Sequence, residues 1–365
     1  MTYSFESPAA YVQGRDAIDE VGDRAEPLGE TALLIGDEVV LGIVEGRVRD
    51  SFDAAGVEIA VEEFGGECSA SEIDRVGEVA SDIDAEVIVG AGGGKALDTA
   101  KAVREDLGMA MVSMPTIAST DAPTSSLSVI YSEGGEFEEY WFHESHPDLV
   151  LVDTEVIAGA PTRLFRSGIA DAMATWFEGE AVHRAGGENF FGERPTNAAY
   201  RLCSLCYDLL GDHGRAALTA VENGVVTEAV EAVTEANILL GGLGFESGGI
   251  AAAHSIHNGL TQLEAAHDAT HGERVNVGTT TQLVLEGRPD EFIGEVIDFS
   301  VALELPVTLA ELGVADPSEE DLQRVAEAAL APEETIHNAF DVSAADVRDA
   351  MIVADELGRE RLDRG

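Results

Sequence analysis

The sequence predicts a two-domain protein: an N-terminal α/β domain built on a Rossmann-like parallel sheet, followed by an all-α C-terminal domain. Short apolar runs alternate with helical patterns over the first 155 residues, as in parallel sheets covered on both faces. Beyond Pro161 the spacing of apolar residues is mainly helical, and β-branched runs are scarce. A chain of 365 residues also has room for two domains of about 100–200 residues each. We therefore predict domains at residues 1–160 and 161–365.

The apolar runs and the turn residues between them locate the individual elements. In the first domain the predicted strands are Ala32–Ile35, Glu58–Phe64, Glu86–Gly90, Met109–Met114 and Leu149–Val152, and the predicted helices are 39–55, 70–81 and Lys95–Asp106. Leu127–Tyr131 and Glu138–Phe142 flank a Glu-Gly-Gly-Glu turn, which predicts a β-hairpin. In the second domain, helical spacing covers 162–182, 193–212, 215–222, 226–242, 246–264 and 271–286, with further segments up to Arg361.

The composition indicates a folded protein with an acidic surface. The chain has 21 Lys+Arg against 70 Asp+Glu, a formal charge of −49, while 45% of its residues are hydrophobic. Such a surface repels nucleic-acid phosphates and anionic lipid headgroups, so we expect neither nucleic acid nor membrane as a partner. Because the acids are spread along the chain, we expect a halophilic source, in which salt screens their mutual repulsion.

The chain shows no targeting or disulfide pattern. No basic segment followed by an apolar core begins the sequence, and no apolar run approaches the length of a membrane span, so we expect a cytoplasmic protein. Three cysteines are too few for a disulfide framework. Cys203 and Cys206 fall on one predicted helix and are interpreted as core residues.

A glycine-rich turn with the only two lysines of the chain predicts a phosphate site. The predicted strand Glu86–Gly90 runs into Ala91–Gly94, and Lys95 and Lys101 follow on the next helix. Glycines allow an anion to approach the backbone, and a helix N-terminus offers free N–H groups. The stretch fits neither the Rossmann nor the P-loop spacing, and a tightly packed strand–helix turn is the structural alternative.

Two further features lie where a dinucleotide-binding sheet holds its ligand. Asp37 directly follows the first predicted strand, where an acid can bind the adenosine ribose hydroxyls and favour NAD over NADP. Residues 115–126 form a run of hydroxyl side chains between two prolines, at the end of another strand. This run is either part of the ligand edge or an ordinary polar loop.

Four histidines lie within a span of 18 residues, and this indicates a metal site. His254 and His257, like His267 and His271, would each share one helix face if both segments are helical. Imidazole suits Zn, Fe, Cu and Ni, and Asp171, an acid in an apolar stretch, could complete the site. The spacing alone does not decide which histidines are ligands.

Taken together, these motifs resemble those of the glycerol dehydrogenases, a branch of the iron-containing alcohol dehydrogenase superfamily. The resemblance is carried by Gly92–Lys101, Pro115–Tyr131, Gly168–Glu178, Phe245–Thr261 and His271–Arg274. It implies the dehydroquinate synthase-like fold of that superfamily, with an N-terminal NAD-binding domain, a C-terminal helical metal-binding and catalytic domain, and an active site in the cleft between them. It also implies a homo-oligomer, from dimer to octamer.

The resemblance further implies roles for individual residues. The metal ligands would be Asp171, His254 and His271, and Asp121 would hold a substrate hydroxyl. Iron-type relatives carry a further histidine where Thr175 stands here, which argues for Zn²⁺. The NAD site would be lined by Asp37, Gly93, Gly94, Lys95, Asp98, Thr116, Ser119, Ser125, Leu127 and Tyr131.

On this resemblance, the implied reaction is the reversible, zinc-assisted transfer of hydride from glycerol to NAD, which gives dihydroxyacetone. Glycerol-1-phosphate dehydrogenase, another polyol or alcohol dehydrogenase, and a lyase of the dehydroquinate synthase type are alternatives on the same scaffold. The two with anionic substrates need a basic pocket, and no compact Lys/Arg cluster is evident outside Lys95 and Lys101. A non-catalytic, cation-binding acidic protein is the alternative from a different class.

Overall fold

The computed structural model describes residues 2–364. The strands are β1 (Tyr3–Ser4), β2 (Tyr11–Gly14), β3 (Thr31–Gly36), β4 (Glu58–Glu63), β5 (Val87–Gly92), β6 (Ala110–Pro115), β7 (Leu127–Tyr131), β8 (Phe137–Phe142), β9 (Leu149–Asp153) and β10 (Arg194–Pro195). The helices are α1 (Val21–Ala25), α2 (Glu38–Ala55), α3 (Ala70–Asp82), α4 (Gly94–Leu107), α5 (Thr154–Gly159), α6 (Thr162–Ala185), α7 (Asn197–Glu222), α8 (Glu228–Glu235), α9 (Gly241–Leu243), α10 (Ala252–Leu260), α11 (His271–Leu285), α12 (Asp290–Ala302), α13 (Glu319–Ala328) and α14 (Ala344–Leu362).

A parallel sheet forms the centre of the first half. Its strand order is β2-β9-β6-β5-β3-β4, and each neighbouring pair is parallel. Alternate residues of one strand enter two separate cores, since Leu34 packs with Phe52 of α2 while Leu33 packs with Ile73 of α3. Burial on both faces explains why these strands are continuous apolar runs. The predicted α/β class is confirmed.

The chain divides into two compact units, and neither is one continuous stretch. The α/β unit contains Glu6–Thr162 and Ala220–Gly242, and the helical unit contains residues 2–5, 163–219 and 243–364. The sequence-based boundary near residue 160 lies beside the break at Thr162. Residues 220–242 nevertheless return to the α/β unit, where Gln13 Nε2 donates to Glu231 Oε2 at 2.7 Å.

Several element bounds differ from the sequence-based prediction. The predicted helices 193–212 and 215–222 form one helix, α7, because Gly214 faces Phe299 and continues the helix without a break. The predicted helix 246–264 holds only α10, preceded by a π-helix at Gly244–Gly248. The helical half also contributes the two-residue strand β10, which pairs with β1. No helix among residues 2–364 is long and apolar enough to span a membrane.

The predicted hairpin is formed by the antiparallel strands β7 and β8, and a half-buried histidine, His143, directly follows β8. His143 Nε2 lies 2.8 Å from Ser128 Oγ. Burial, assisted by the positive charges of Lys101 and Arg104, lowers the pKa of His143 to about 4. The neutral ring is therefore part of the folded hairpin.

We expect this histidine to make stability depend on pH. An unfolded histidine titrates near pH 6.5, so the unfolded chain binds more protons than the folded one between about pH 4 and 6.5. The free energy of unfolding therefore falls with acidification across this window, by about 1–3 kcal/mol from His143. Denaturant unfolding of wild type and His143→Gln at both ends of the window measures it. An unchanged pH slope in the variant would contradict the assignment, and His337→Gln, at an exposed position, is the control.

Candidate metal and cofactor sites

Three donor groups converge within the helical unit. Asp171 Oδ1 lies 2.9 Å from His271 Nε2 and 3.3 Å from His254 Nε2. The three ligand atoms all lie within 4.8 Å of one another. A tetrahedral zinc ion with bonds of about 2.0–2.2 Å separates its ligand atoms by roughly 3.3–3.6 Å, so this spacing and this N/O donor set fit Zn²⁺.

Each of the three donors comes from a different helix. Asp171 lies in the middle of α6, His254 in the first turn of α10, and His271 at the first position of α11. The start of α11 approaches α6 closely, because Gly272 N donates to Ser167 Oγ at 3.1 Å. A Cβ at Gly272 would lie 1.9 Å from Ser167 O, so only glycine allows this approach.

The N-terminus of α10 is held by side chains from its two neighbours. The fully buried Glu178, two turns after Asp171 on α6, accepts through Oε1 from Ala251 N and His254 N at 2.9 and 3.0 Å. Gln282 Oε1 on α11 accepts the backbone N–H groups of residues 252 and 253, both at 3.0 Å. These side chains satisfy the free N–H groups of the first turn and fix the position of His254.

The start of α11 is fixed by a cap and an ion pair. Thr270 and Glu273 form a capping box in front of His271. Arg163 at the start of α6 donates to both oxygens of Glu273, at 2.8 and 2.6 Å. His271, at the start of α11, is therefore tied to the helix that carries Asp171.

The charges of the cluster favour a cation. Burial opposes ionisation of Asp171, but the neighbouring rings of His271 and His254 hold the pKa of this carboxyl below its usual value. Burial also disfavours a charged His254, yet the carboxylates of Glu178 and Asp171 raise its pKa well above the ordinary value. Two buried carboxylates around one imidazole supply negative charge that a divalent cation would balance on displacing the proton.

The other two histidines of the group lie outside the donor cluster. His257 is on α10, one turn after His254, but the three-donor cluster among residues 2–364 does not include it. His267 is exposed and its Nε2 lies 2.9 Å from Thr261 O. The expectation that His267 and His271 share a helix face is wrong, because α11 begins only at His271.

We expect Glu178→Gln to weaken zinc binding about 10- to 100-fold, since Glu178 Oε2 lies 2.6 Å from His254 Nδ1 and orients the ring toward the cluster. Competition with a chromogenic chelator measures the affinity. Glu180→Gln is the matched control, because it removes the same charge from the same helix, at a carboxylate that pairs with Arg184 and Arg288. Equal zinc affinities of the two variants would contradict the assignment.

The predicted cofactor residues gather at one edge of the parallel sheet. Asp37, Gly93 and Thr116 follow the carboxyl ends of the adjacent strands β3, β5 and β6. Gly93 precedes α4 as its N-cap and has no side chain to cap it, so the first N–H groups of that helix remain available to an anion. A Cβ at Gly93 would meet Ile117 Cδ1 at 2.8 Å. A turn of this kind ahead of an uncapped helix N-terminus is a place where a pyrophosphate can approach the backbone.

The two lysines have different surroundings. Lys95 is partly exposed, lies 2.6 Å from the Glu67 carboxylate and stands 5.0 Å from the centre of the Tyr131 ring. Lys101 is 2% exposed and pairs with the buried Asp98 at 2.7 Å. Asp98 Oδ2 also accepts from Val129 N at 3.0 Å, so its side chain is engaged within the α/β unit.

Lys101 holds the hydroxyl-rich loop in place. Its Nζ donates to Ser125 Oγ at 2.9 Å, to Ala122 O at 3.0 Å and to Leu127 O at 2.5 Å. The loop that carries Thr116, Ser119, Asp121 and Ser125 is therefore fixed by one buried cation. Asp37, in turn, caps α2, since its Oδ1 accepts from Val40 N at 2.8 Å.

Sequence reasoning missed the residues that hold the ligands in place. Glu178 ends a motif noted in the sequence, and its spacing of seven residues from Asp171 places both on one helix face. That signal could have identified it. Gln282 carries no comparable signal, because the backbone groups that it binds lie on another helix, α10.

Comparison with known proteins identifies the family. The family model described as "Iron-containing alcohol dehydrogenase" matches residues 8–154. The chain is 61% identical to a glycolaldehyde reductase from Halobacterium salinarum, with full coverage of both chains, and 48% identical to a glycerol dehydrogenase from Escherichia coli, with 98% of each covered. The crystal structure of glycerol dehydrogenase from Schizosaccharomyces pombe matches with a TM-score of 0.96 at 38% identity, over 100% of this chain and 93% of that one.

The chain is thus an oxidoreductase and belongs to the iron-containing alcohol dehydrogenase family. The resemblance to glycerol dehydrogenases is confirmed over the full length of the chain.

Proposed function

We propose that this oxidoreductase transfers hydride between glycerol and NAD, with Zn²⁺ held by Asp171, His254 and His271. Glycerol and NAD⁺ would give dihydroxyacetone, NADH and one proton. The observation that carries this proposal is the convergence of one carboxylate and two imidazoles on a common point, within 4.8 Å of one another. A zinc ion in this position would act as a Lewis acid toward a substrate hydroxyl.

Further contacts support zinc and NAD. The position at which iron-type relatives carry a fourth ligand is Thr175, whose methyl group faces Gly244, where a Cβ would lie 2.1 Å away. Three protein donors leave a coordination position for substrate, as in catalytic zinc sites. The uncapped N-terminus of α4 would bind the pyrophosphate, and Asp37 the adenosine ribose, which favours NAD over NADP.

A second candidate is the reduction of glycolaldehyde by NADH to ethane-1,2-diol, and the relative from Halobacterium salinarum favours it. Both candidates act on a carbon next to one that carries a hydroxyl. The same zinc and nicotinamide arrangement would serve either direction. The two differ in substrate size and in the favoured direction.

A substrate panel in multimolar KCl distinguishes these candidates by NADH absorbance. We expect the zinc-loaded protein to oxidise glycerol with a higher kcat/KM than glycerol 1-phosphate, because the sequence shows no compact Lys/Arg cluster outside Lys95 and Lys101 to bind a substrate phosphate. A kcat/KM for glycolaldehyde reduction above those for glycerol oxidation and dihydroxyacetone reduction would favour the second candidate. Turnover of the phosphate ester alone would contradict both.

A further inference from the structure

A buried histidine next to the donor cluster has no part in it. His257 is 7% exposed, and its ring centre lies 4.3 Å from that of His271 and 6.5 Å from that of His254. It lies one turn after His254 on α10, so both rings project from one side of the helix. His257 therefore borders the donor cluster on the side of His271.

The hydrogen bonds around His257 determine which ring nitrogen carries the proton. Asn258 Nδ2 donates to both oxygens of Glu334, at 3.0 and 3.1 Å, so the amide nitrogen faces the carboxyl group. Asn258 Oδ1 consequently faces His257 Nδ1, at 3.0 Å. An amide oxygen only accepts, so Nδ1 of the neutral ring holds the proton and Nε2 presents a lone pair.

That lone pair has no protein partner. Among residues 2–364, Nε2 of His257 is buried and accepts no hydrogen bond. The ring is only 7% exposed, and burial of an unpaired charge is costly, so the neutral form fits this position. Buried acceptors are normally paired, so one without a protein partner beside a substrate site can accept a hydrogen bond from a bound substrate.

We propose that His257 binds the polyol substrate by accepting, at Nε2, a hydrogen bond from a hydroxyl next to the carbon that is oxidised. This inference rests on the proposed function and extends it to substrate choice. A hydroxyl on the neighbouring carbon satisfies the acceptor, whereas a simple alcohol leaves it unpaired. His257 would therefore be one source of selectivity for vicinal diols over monoalcohols.

Two amide variants of different reach test this role. The terminal atoms of His257→Gln reach about as far as Nε2, while those of His257→Asn reach only about as far as Nδ1. We expect His257→Asn to raise the KM for glycerol about five- to tenfold, as for one lost hydrogen bond, with kcat changed less than threefold. His257→Gln should stay within about threefold of wild type. The KM for propan-2-ol, which lacks the second hydroxyl, should not change in either variant.

Two measurements besides turnover accompany the kinetics. Calorimetric titration of glycerol into the zinc-loaded protein should show the same five- to tenfold weakening for His257→Asn alone. Zinc content should stay at the wild-type value in both variants, and loss of zinc would overturn the proposal by making His257 a ligand. His337→Gln, at an exposed site, is the control for histidine replacement.

The outcomes separate this inference from the proposed function. If wild type oxidises glycerol and His257→Asn has the wild-type KM and glycerol affinity, the role of His257 is wrong and the proposed function stands. If the KM for glycerol and the KM for propan-2-ol rise by the same factor in His257→Asn, the residue acts on the metal or the fold and the proposal is overturned. If wild type turns over no polyol in either direction, the proposed function fails, and this inference fails with it.

Discussion

Replacing Asp171 by Asn is expected to lower kcat/KM for glycerol by roughly 10³-fold or more and to remove tight zinc binding. The carboxylate lies between two imidazoles, 2.9 Å from His271 and 3.3 Å from His254, and is the only anion among the three donors. An amide of the same shape keeps the packing but removes the charge that balances a divalent cation. Zinc analysis after dialysis and steady-state kinetics measure the two effects.

A control variant separates this effect from the general loss of one acid. Asp208→Asn makes the same chemical change at an exposed position on α7. It should retain zinc and activity. Wild-type zinc affinity and turnover in Asp171→Asn would contradict the placement of the metal site.

Replacing Lys101 by Met is expected to cost about 3–5 kcal/mol of unfolding free energy, as when one partner of a buried ion pair is removed. The change leaves Asp98 buried without its counter-ion, 4% exposed, and removes the donor that serves Ser125 and Leu127. Burial already raises the pKa of Asp98, and Lys101 opposes that rise. Denaturant unfolding at constant salt measures the loss.

The sign of the pH dependence supplies a second readout for Lys101→Met. Without Lys101 the folded-state pKa of Asp98 should rise further above its unfolded value. A raised carboxyl pKa stabilises the fold at low pH, and this stability is lost as the pH rises through the folded pKa. The variant should therefore lose more stability at neutral than at acidic pH.

The other lysine of the chain and a double variant complete this test. Lys95→Met should cost less than about 1 kcal/mol, because Lys95 pairs with Glu67 at a solvent-exposed site. The double variant Lys101→Met with Asp98→Asn should recover part of the unfolding free energy that Lys101→Met loses, because it no longer buries an unpaired carboxylate. A loss in Lys101→Met no larger than that in Lys95→Met would contradict the structural role of Lys101.

The sheet could be predicted from the sequence because burial on both faces leaves an unambiguous pattern. The strands β3, β5, β6 and β9 are continuous apolar runs bounded by glycine, proline or acids. The strand β2 was missed, since Tyr11–Gly14 is an edge strand with only half-buried residues. The helix predicted at 246–264 is longer than α10, because the apolar pattern continues through a π-helix. The spacing of apolar residues does not distinguish a π-helix from an α-helix.

The candidate metal site could be predicted only in part. The clustering of histidines indicated a metal, but the donor set depends on how α6, α10 and α11 pack. His267 illustrates this limit of the prediction. It precedes Thr270, the N-cap of α11, and therefore lies outside that helix, where it is exposed. The roles of Gln282 and Asn258 depend on contacts with distant segments of the chain, which single-sequence periodicity does not encode.

The two lysines of the chain have different roles in the structure. Two lysines in a lysine-poor chain indicated a task for each. Lys95 lies in the first turn of α4, directly after the glycine turn, and remains in the proposed cofactor site. Lys101 instead stabilises the loop that follows β6, through three hydrogen bonds and one ion pair. Sequence spacing placed both on one helix but did not show which would be buried.

The most direct test of zinc-dependent polyol oxidation is reconstitution of the metal-free protein. Wild type in multimolar KCl would be treated with a chelator, dialysed, and titrated with Zn²⁺ while glycerol-dependent NADH formation is followed. We predict no turnover before zinc is added and a rise that saturates at one zinc per chain. Full turnover by protein whose zinc content is shown to be zero, or zinc binding that restores no turnover of any polyol, would contradict the assignment of Asp171, His254 and His271 as the catalytic metal site.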